Sequence, residues 1–345
     1  MPWFNTNYHY IVPEIEDDTV ITLCPEKLLE EYEEAKALGI TTKPVVIGAY
    51  TMLKLCRYTG EKKAVDYVEA VTKAYQEVLG LCAGHQIDWI QFDEPALVKD
   101  MGKEDISFFH QIYDAILPAK KQCHVLLQTY FGDIRDAYED VCAMPFDGIG
   151  LDFIEGKQTR QLVEEKGFPK EKLLFAGLVN GKNIWKNHYE STLQELHALE
   201  EKQIKAVLST SCSLLHVPYT LRHEEKLAKE AVCYFAFAEE KLLELQQLRA
   251  LAECEDAEKE AAYQANQELF AKKRDCENQE VTKRLSQVTE KDYVRLPERK
   301  VRQQLQKEEL ALPEFPTTTI GSFPQTKDVK SNRAAYRKGH ITEQE

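Results

Sequence analysis

The stretch Asp88–Lys99, DWIQFDEPALVK, decides the fold of this 345-residue chain. Its short, largely apolar run WIQF predicts a strand, and two carboxylates, Asp93 and Glu94, follow it at once. Pro95 ends the strand, because proline has no N–H to donate to a sheet. A buried strand that leads into acidic residues and a turn is typical of β/α enzymes, whose strand ends carry the polar groups of the site.

The chain on both sides of this stretch repeats the pattern. After a strand at Tyr8–Ile15 and a helix at Pro25–Leu38, six strands that are apolar on both faces alternate with helices. The strands are predicted at Pro44–Tyr50, Trp89–Phe92, Val125–Thr129, Ile149–Ile154, Leu173–Val179 and Ala206–Thr210. The helices are predicted at Glu61–Leu79, Asp105–Leu117, Ile134–Cys142, Thr159–Lys166 and His188–Glu201.

This alternation indicates parallel strands covered by helices. A (β/α)8 barrel is the first choice and an open doubly wound sheet is the second. The glycine-rich GxGxxG loop of a dinucleotide fold is absent after the first strand, which removes one common version of the second choice.

Three regions are expected along the chain. Residues 1–252 form an N-terminal β/α barrel that lacks its first units and ends in a long helix at Glu224–Leu251. Residues 253–313 form a charged helical connector, rich in Glu, Lys, Gln and Arg. Residues 314–345 start a second, truncated barrel with a strand at Thr317–Ile320. The predicted fold class is therefore α/β, an incomplete (β/α)8 TIM-type barrel followed by a long helical connector.

Composition excludes several partners. The formal net charge of −14 argues against nucleic acid and anionic membranes, which would repel the surface. No apolar run approaches the ~20 residues of a membrane span, and the start of the chain has no signal-peptide pattern. Nine scattered cysteines without a CxxC pair indicate reduced thiols. A cytoplasmic, monomeric protein is expected.

The residues that follow the predicted strands are the candidates for a site at the barrel mouth. The substrate-side candidates are Asp93, Glu94, Asp152, Cys212 and His216.

Three kinds of chemistry fit these residues. Glu94 with Asp152 or Glu155 would suit the acid and base of a glycosidase, although acids at strand ends more often cap helices and orient loops. Cys212 and His216 would suit a nucleophile and its base, although their spacing on a loop fixes no geometry. Cys212, Asp152 and a histidine would suit zinc, although no second cysteine or HxC pair follows a strand.

Six stretches, taken together, resemble the cobalamin-independent methionine synthases. They occur in the family's order across nearly the whole chain. They are WFNTNYHYIVPE (3–14), WIQFDEPALV (89–98), QTYFGD (128–133), LLFAGLVNGKNIW (173–185), LSTSCSLLH (208–216) and PTTTIGSFPQT (316–326).

The resemblance implies two β/α barrels and transfer of a methyl group from methyltetrahydropteroyltriglutamate to homocysteine, in methionine biosynthesis. It implies a zinc ion that binds the homocysteine sulfur, without cobalamin. The family's zinc ligands belong to the second barrel and match no residue here, so neither a metal ligand nor a catalytic residue is expected in this chain. Ile320, Gly321 and Ser322 match the family's contact to the homocysteine amino-acid moiety. The family's folate-binding basic residues find no match, because Pro2 replaces a lysine.

From these matches we expect this chain alone to be inactive in methyl transfer. The alternative is a non-catalytic folate-binding or scaffold barrel that works with a separate catalytic chain. The Asp93–Glu94 pair is then the structural or folate-side copy of a motif whose catalytic version lies in the other barrel.

Overall fold

The computed structural model describes residues 1–272, 278–319, 321–342 and 344. They divide into two compact units, Met1–Lys273 and Arg274–Glu345. The strands described are β1 (Glu14–Ile15), β2 (Val45–Ile47), β3 (Arg57–Tyr58), β4 (Trp89–Asp93), β5 (His124–Gln128), β6 (Gly148–Asp152), β7 (Leu173–Val179) and β8 (Lys205–Thr210).

The first unit is built on a six-stranded sheet in which every pairing is parallel. Its strand order, β2-β4-β5-β6-β7-β8, follows the chain without a reversal. This order is that of a β/α barrel, whereas a doubly wound sheet reverses its order at a switch point. Within the described chain, β2 and β8 each pair with one neighbour, so the predicted α/β fold with an incomplete barrel is confirmed. The short strands β1 and β3 form a separate parallel pair.

Helices cover the outer face of the sheet and continue beyond its last strand. In the first unit they are α1 (Glu26–Ala37), α2 (Ala49–Leu55), α3 (Val68–Gly84), α4 (Lys103–Ile116), α5 (Tyr138–Ala143), α6 (Thr159–Lys166), α7 (Tyr189–Glu201), α8 (Lys229–Val232), α9 (Ala238–Ala252) and α10 (Ala261–Ala271). In the second unit they are α11 (Gln279–Ser286), α12 (Arg299–Leu310) and α13 (Lys327–Arg337). No helix in the described ranges is long and apolar enough to cross a membrane.

Strand β4 shows how the two faces of the sheet differ. Ile90 and Phe92 are fully buried, and the Phe92 ring lies 5.5 Å from the Tyr75 ring of α3. Trp89, Gln91 and Asp93 alternate with them and are partly exposed on the other face. Because side chains alternate along a strand, the first set packs against helices and the second set faces the inside of the barrel.

Several predicted elements are wrong or shifted. The strand expected at Tyr8–Ile15 is reduced to β1, with an isolated bridge between Pro2 and His9. The end of the strand predicted at Pro44–Tyr50 is instead the first turn of α2, an unpredicted helix. The helix predicted from Glu61 begins at Val68.

The long helix predicted at Glu224–Leu251 is interrupted. Residues 229–232 form α8, and α9 starts only at Ala238. Between them, Phe235 forms a backbone bridge with Trp185, and the Ala236 N–H donates to the Ile184 carbonyl at 2.7 Å. These contacts with a distant loop override the local helical pattern.

The strand predicted at Thr317–Ile320 is not found in its described part. Residues 317–319 are exposed and form no ladder with any other described segment, so no neighbour satisfies their backbone. Ile320 lies outside the described residues. The helix expected after this segment is present as α13.

Candidate functional site

A cavity of about 700 Å³ lies on the inner face of the sheet and opens at the ends of β4, β5 and β8. It receives side chains from four of the six strands or the segments beside them. The lining residues are Trp3, Tyr8, Lys43, Val45, Gln91, Asp93, Gln128, Tyr130, Ser209, Thr210, Cys212, Ser213, Leu215 and His216. Three of the predicted site residues, Asp93, Cys212 and His216, are therefore brought together, and Glu94 and Asp152 are not among them.

A chain of hydrogen bonds crosses this cavity. The Lys43 ammonium donates to Gln91 Oε1 at 2.7 Å, and Gln91 Nε2 donates to Asp93 Oδ1 at 2.7 Å. The Tyr130 hydroxyl donates to the other Asp93 oxygen at 3.2 Å. Burial raises the pKa of Asp93 to about 6, although these hydrogen bonds and the charge of Lys43 oppose the rise. Burial also lowers the pKa of Lys43.

Neither Lys43 nor Gln91 is among the residues that the sequence predicts. Lys43 precedes its strand, so a search of the residues that follow strands passes over it. Gln91 left a signal, because it is a polar residue at an inward position of an otherwise apolar strand.

Glu94 faces the helical layer and not the cavity, which corrects its prediction as a substrate-side residue. Its carboxylate is fully buried and accepts the Tyr50 N–H at 2.9 Å and the Thr51 N–H at 2.7 Å. Both donors belong to the first turn of α2, where unpaired N–H groups favour an anion. The Tyr113 hydroxyl of α4 donates to the same carboxylate.

The environment of Glu94 leaves no room for another ligand. A Cβ atom added to Gly48 would lie 2.2 Å from the Glu94 carboxyl carbon. Burial raises the pKa of Glu94 to about 7, against the opposing effect of its hydrogen bonds. The sequence carried a signal for this orientation, because period-two alternation puts Glu94 on the same side as Ile90 and Phe92.

Asp152 is also a loop-building residue, and its prediction as a substrate-side residue is corrected in the same way. One oxygen accepts the Ile154 and Glu155 N–H groups at 2.8 and 2.9 Å, and the other accepts the Phe131 N–H at 3.0 Å. Burial raises its pKa to about 6. With three backbone donors, Asp152 holds the loops after β5 and β6 in place.

Cys212 and His216 lie at the β8 end of the cavity. Burial raises the pKa of the Cys212 thiol to about 12, so the thiol is neutral at pH 7. Burial lowers the pKa of His216, and its ring lies edge-on to Tyr8 and Phe131. Its buried Nδ1 atom has no hydrogen-bond partner among the described residues. The structure gives no support to a nucleophile and base here, because no hydrogen bond joins Cys212 to His216 in the described part of the chain and the thiol is not activated.

The glycosidase and zinc interpretations fail on the same geometry. Glu94 does not share a cavity with a second acid, and Glu155 pairs with Lys182 at 2.9 Å. The candidate zinc donors do not fit a metal, because Asp152 is occupied by backbone N–H groups and Cys212 is protonated. Residues 1–272, 278–319, 321–342 and 344 hold no group of three or more His, Cys, Asp or Glu side chains placed for a metal ion.

A second cavity of about 650 Å³ carries positive charge and was not predicted. Lys54, Arg57 and Lys99 line it, together with apolar groups such as Phe4 and Phe131. Lys54 pairs with Asp105 at 2.6 Å and Arg57 with Glu14 at 2.9 Å. The Lys99 ammonium lies 5.2 Å from the centroid of the Phe4 ring. This cavity therefore presents cations on a protein whose net charge is −14.

The predicted homocysteine contacts belong to the second unit. Gly321 and Ser322 are exposed there, and Ile320 lies outside the described residues. Their role remains a prediction.

Two family models match this chain. The model described as "Cobalamin-independent synthase, N-terminal domain" covers residues 1–204. The model described as "Cobalamin-independent synthase, Catalytic domain" covers residues 315–345.

Relatives in two streptococci match nearly the whole chain. It is 49% identical over 343 residues to the 5-methyltetrahydropteroyltriglutamate–homocysteine methyltransferase of Streptococcus suis, which covers 99% of this chain and 45% of the relative. The protein of the same name from Streptococcus gordonii is 48% identical over 340 residues, covering 99% of this chain and 44% of the relative. The chain thus spans about half the length of these relatives.

A solved structure supports the fold alone. The putative vitamin-B12 independent methionine synthase of Listeria monocytogenes superimposes with a TM-score of 0.51 at 14% identity, over 70% of this chain and 72% of that one.

Proposed function

We propose, from the premise that this chain belongs to the cobalamin-independent synthase family, that it forms part of a methionine-producing methyltransferase. The proposed reaction moves a methyl group from methyltetrahydropteroyltriglutamate to homocysteine without cobalamin. The observation that carries the proposal is the continuous similarity over 99% of the chain to methyltransferases named for these two substrates. A monomer located in the cytoplasm remains part of the proposal.

The first unit acts in this proposal as a scaffold and not as the site of methyl transfer. Its two best-buried acids at strand ends, Glu94 and Asp152, are committed to backbone and tyrosine donors. The zinc ion that the family implies finds no fitting donor set in the described chain. We therefore assign the metal to residues outside this chain and derive no step through it.

The second unit contributes to substrate binding in this proposal. The backbone at Gly321 and the hydroxyl of Ser322 are hydrogen-bond donors suited to the carboxylate of homocysteine, with Ile320 beside them. Binding and orienting the acceptor is the contribution that these residues make; they do not transfer the methyl group.

A chimera tests this function. In the Streptococcus suis methyltransferase, the residues that align with this chain are replaced by it, and methionine formation from homocysteine and methyltetrahydropteroyltriglutamate is measured. We expect a rate within about tenfold of the parent enzyme and no methionine from this chain alone. A soluble, folded chimera without activity would overturn the proposal, and activity of the isolated chain would overturn the scaffold role.

A second candidate is a non-catalytic folate-binding barrel that works with a separate catalytic chain. The second cavity favours it, because Lys54, Arg57 and Lys99 suit the carboxylates of a polyglutamate tail. Calorimetric titration of the isolated chain with methyltetrahydropteroyltriglutamate tests it. Heat that disappears in Lys99→Met, but not in the exposed control Lys103→Met, supports folate binding; no heat with the unmodified chain rejects it.

A further inference from the structure

Opposite charges in the inner cavity are held apart by a neutral amide. The Gln91 carboxamide lies between the Lys43 ammonium and the Asp93 carboxylate, with its oxygen accepting from one and its nitrogen donating to the other, both at 2.7 Å. No ion pair within 4 Å joins Lys43 to Asp93 in the described chain. Two complementary charges are thus fixed at the two ends of one side-chain amide.

These charges keep unused hydrogen-bonding capacity. Among the described residues, the Lys43 ammonium has one hydrogen-bond acceptor, Gln91 Oε1, and otherwise faces the Phe175 ring at 5.8 Å from its centroid. An ammonium carries three N–H donors, and a carboxylate can accept about four hydrogen bonds. Asp93 accepts from two side chains, Gln91 and Tyr130. Half-buried charges with spare capacity are costly unless a ligand completes them.

The Gln91 carboxamide also shows which ligand would complete them. It offers an acceptor to Lys43 and a donor to Asp93 over the span of one small functional group. A free α-amino acid offers the same order of groups, since its carboxylate is an acceptor and its ammonium is a donor, two bonds from each other through one carbon. We propose that this cavity binds a free α-amino acid, with the ligand carboxylate on Lys43 and the ligand ammonium on Asp93.

The rest of the cavity selects the side chain of that amino acid. Trp3, Tyr8, Val45 and Leu215 line it with aromatic and aliphatic surface, so an apolar side chain is favoured over a charged one. The volume of about 700 Å³ falls within the roughly 300–1,000 Å³ of small-molecule sites. This site is distinct from Ile320–Ser322, and it does not depend on the proposed methyl transfer.

Ligand-side changes test the proposal without altering the protein. The isolated chain is titrated calorimetrically with L-methionine at pH 7.5, where Asp93 is ionised. We expect saturable binding of one molecule per chain. N-acetyl-L-methionine removes the ammonium and L-methioninamide removes the carboxylate, and each is expected to bind at least tenfold more weakly. Saturable binding of both analogues with unchanged affinity would overturn the proposal.

Protein variants identify the site. Lys43→Met and Asp93→Asn are each expected to weaken L-methionine binding at least tenfold, and Lys54→Met, in the second cavity, is expected to leave it unchanged. Circular dichroism confirms that each variant is folded. No saturable heat up to about 10 mM L-methionine, or binding that is lost in Ser322→Ala but kept in both cavity variants, would overturn the site. Neither result bears on the chimera assay, so the two proposals fail separately.

Discussion

Asp93 and Glu94 are adjacent in the chain but belong to different regions of the molecule. Asp93 faces the inner cavity, where it accepts from the side chains of Gln91 and Tyr130. Glu94 faces the layer between sheet and helices, where it accepts from two backbone N–H groups of α2 and from the Tyr113 hydroxyl. The first carboxylate is open to a ligand, and the second is closed by protein on all sides.

The difference shows that a pair of acids after a strand does not have to act as a pair. Side-chain alternation sends neighbouring residues to opposite faces of a sheet, and the two faces have different purposes in a β/α fold. A carboxylate in the helical layer connects three elements, here β4, α2 and α4. A carboxylate on the inner face keeps capacity for binding.

The largest expected effect comes from Glu94→Ala. This change leaves the N–H groups of Tyr50 and Thr51 and the hydroxyl of Tyr113 without their acceptor in a buried layer. We expect the free energy of unfolding to fall by about 3–5 kcal/mol, measured by urea denaturation at pH 7. Glu69→Ala, an exposed glutamate of α3, is the control and is expected to change stability by at most about 0.5 kcal/mol. A loss below about 1 kcal/mol in Glu94→Ala would contradict the connecting role.

The pH dependence of stability separates the two regions next. The pKa of Glu94 is about 7 in the folded chain and 4.5 ordinarily, so the folded state binds this proton more tightly. The stabilisation is complete below pH 4.5 and is lost as the pH rises through 7, with a size of about 3 kcal/mol. Glu94→Gln cannot titrate and lacks this loss.

Urea denaturation of both proteins between pH 4.5 and 8 measures the effect. The stability of the unmodified chain relative to Glu94→Gln is expected to fall by about 3 kcal/mol across this range. Parallel curves for the two proteins would show that Glu94 does not titrate with a raised pKa.

Gly48 provides a smaller, steric test of the same region. Its backbone is extended, with φ −69° and ψ 151°, so alanine has no conformational penalty there. The added Cβ would meet the Glu94 carboxyl carbon at 2.2 Å, and we expect Gly48→Ala to lower the unfolding free energy by about 1–3 kcal/mol. The control is Gly80→Ala in α3, where a Cβ meets nothing within 4 Å. There helix propensity predicts a gain of up to about 1 kcal/mol. Equal effects of the two changes would exclude the steric explanation.

Much of the first unit is predictable because its signals are local. Apolar runs separated by amphipathic helices predicted all six strands of the sheet, and strand alternation in WIQFDE contained the opposite directions of Asp93 and Glu94. The partners of these carboxylates were beyond prediction, because Tyr113 and Thr51 reach Glu94 only through tertiary packing. Lys43 meets Gln91 across 48 positions of sequence, and no local pattern reports such a contact.

The errors in the prediction have the same physical origin. The segment around Phe235 has helical periodicity, but its backbone pairs with the loop at Trp185, which a periodic pattern cannot show. Residues 317–319 have strand propensity, but propensity without a neighbouring strand leaves backbone groups unpaired. Elements that need only their own sequence were predicted, and those that need a partner were not.

The smallest expected effect is also the one that most directly opposes the two acids. Burial raises the pKa of Asp93 to about 6 from an ordinary 3.8, so ionised Asp93 disfavours the folded state above pH 6. Asp93→Asn removes this charge and keeps a polar side chain for Tyr130 and Gln91. Because Asp93 is only partly buried and one hydrogen bond is weakened, we expect a gain of at most about 1 kcal/mol at pH 8, measured by urea denaturation.

The control for this gain is Asp88→Asn, an exposed aspartate just before β4 whose carboxylate pairs with His124 at 3.2 Å; it is expected to change stability by at most about 0.5 kcal/mol. A carboxylate that lowers stability where it stands is retained for what it binds, and the same substitution is expected to weaken amino-acid binding at least tenfold. If Asp93→Asn instead lowers stability by more than about 1 kcal/mol, Asp93 is a connecting residue like Glu94. In that case the inner face and the helical layer do not differ in the way the geometry indicates.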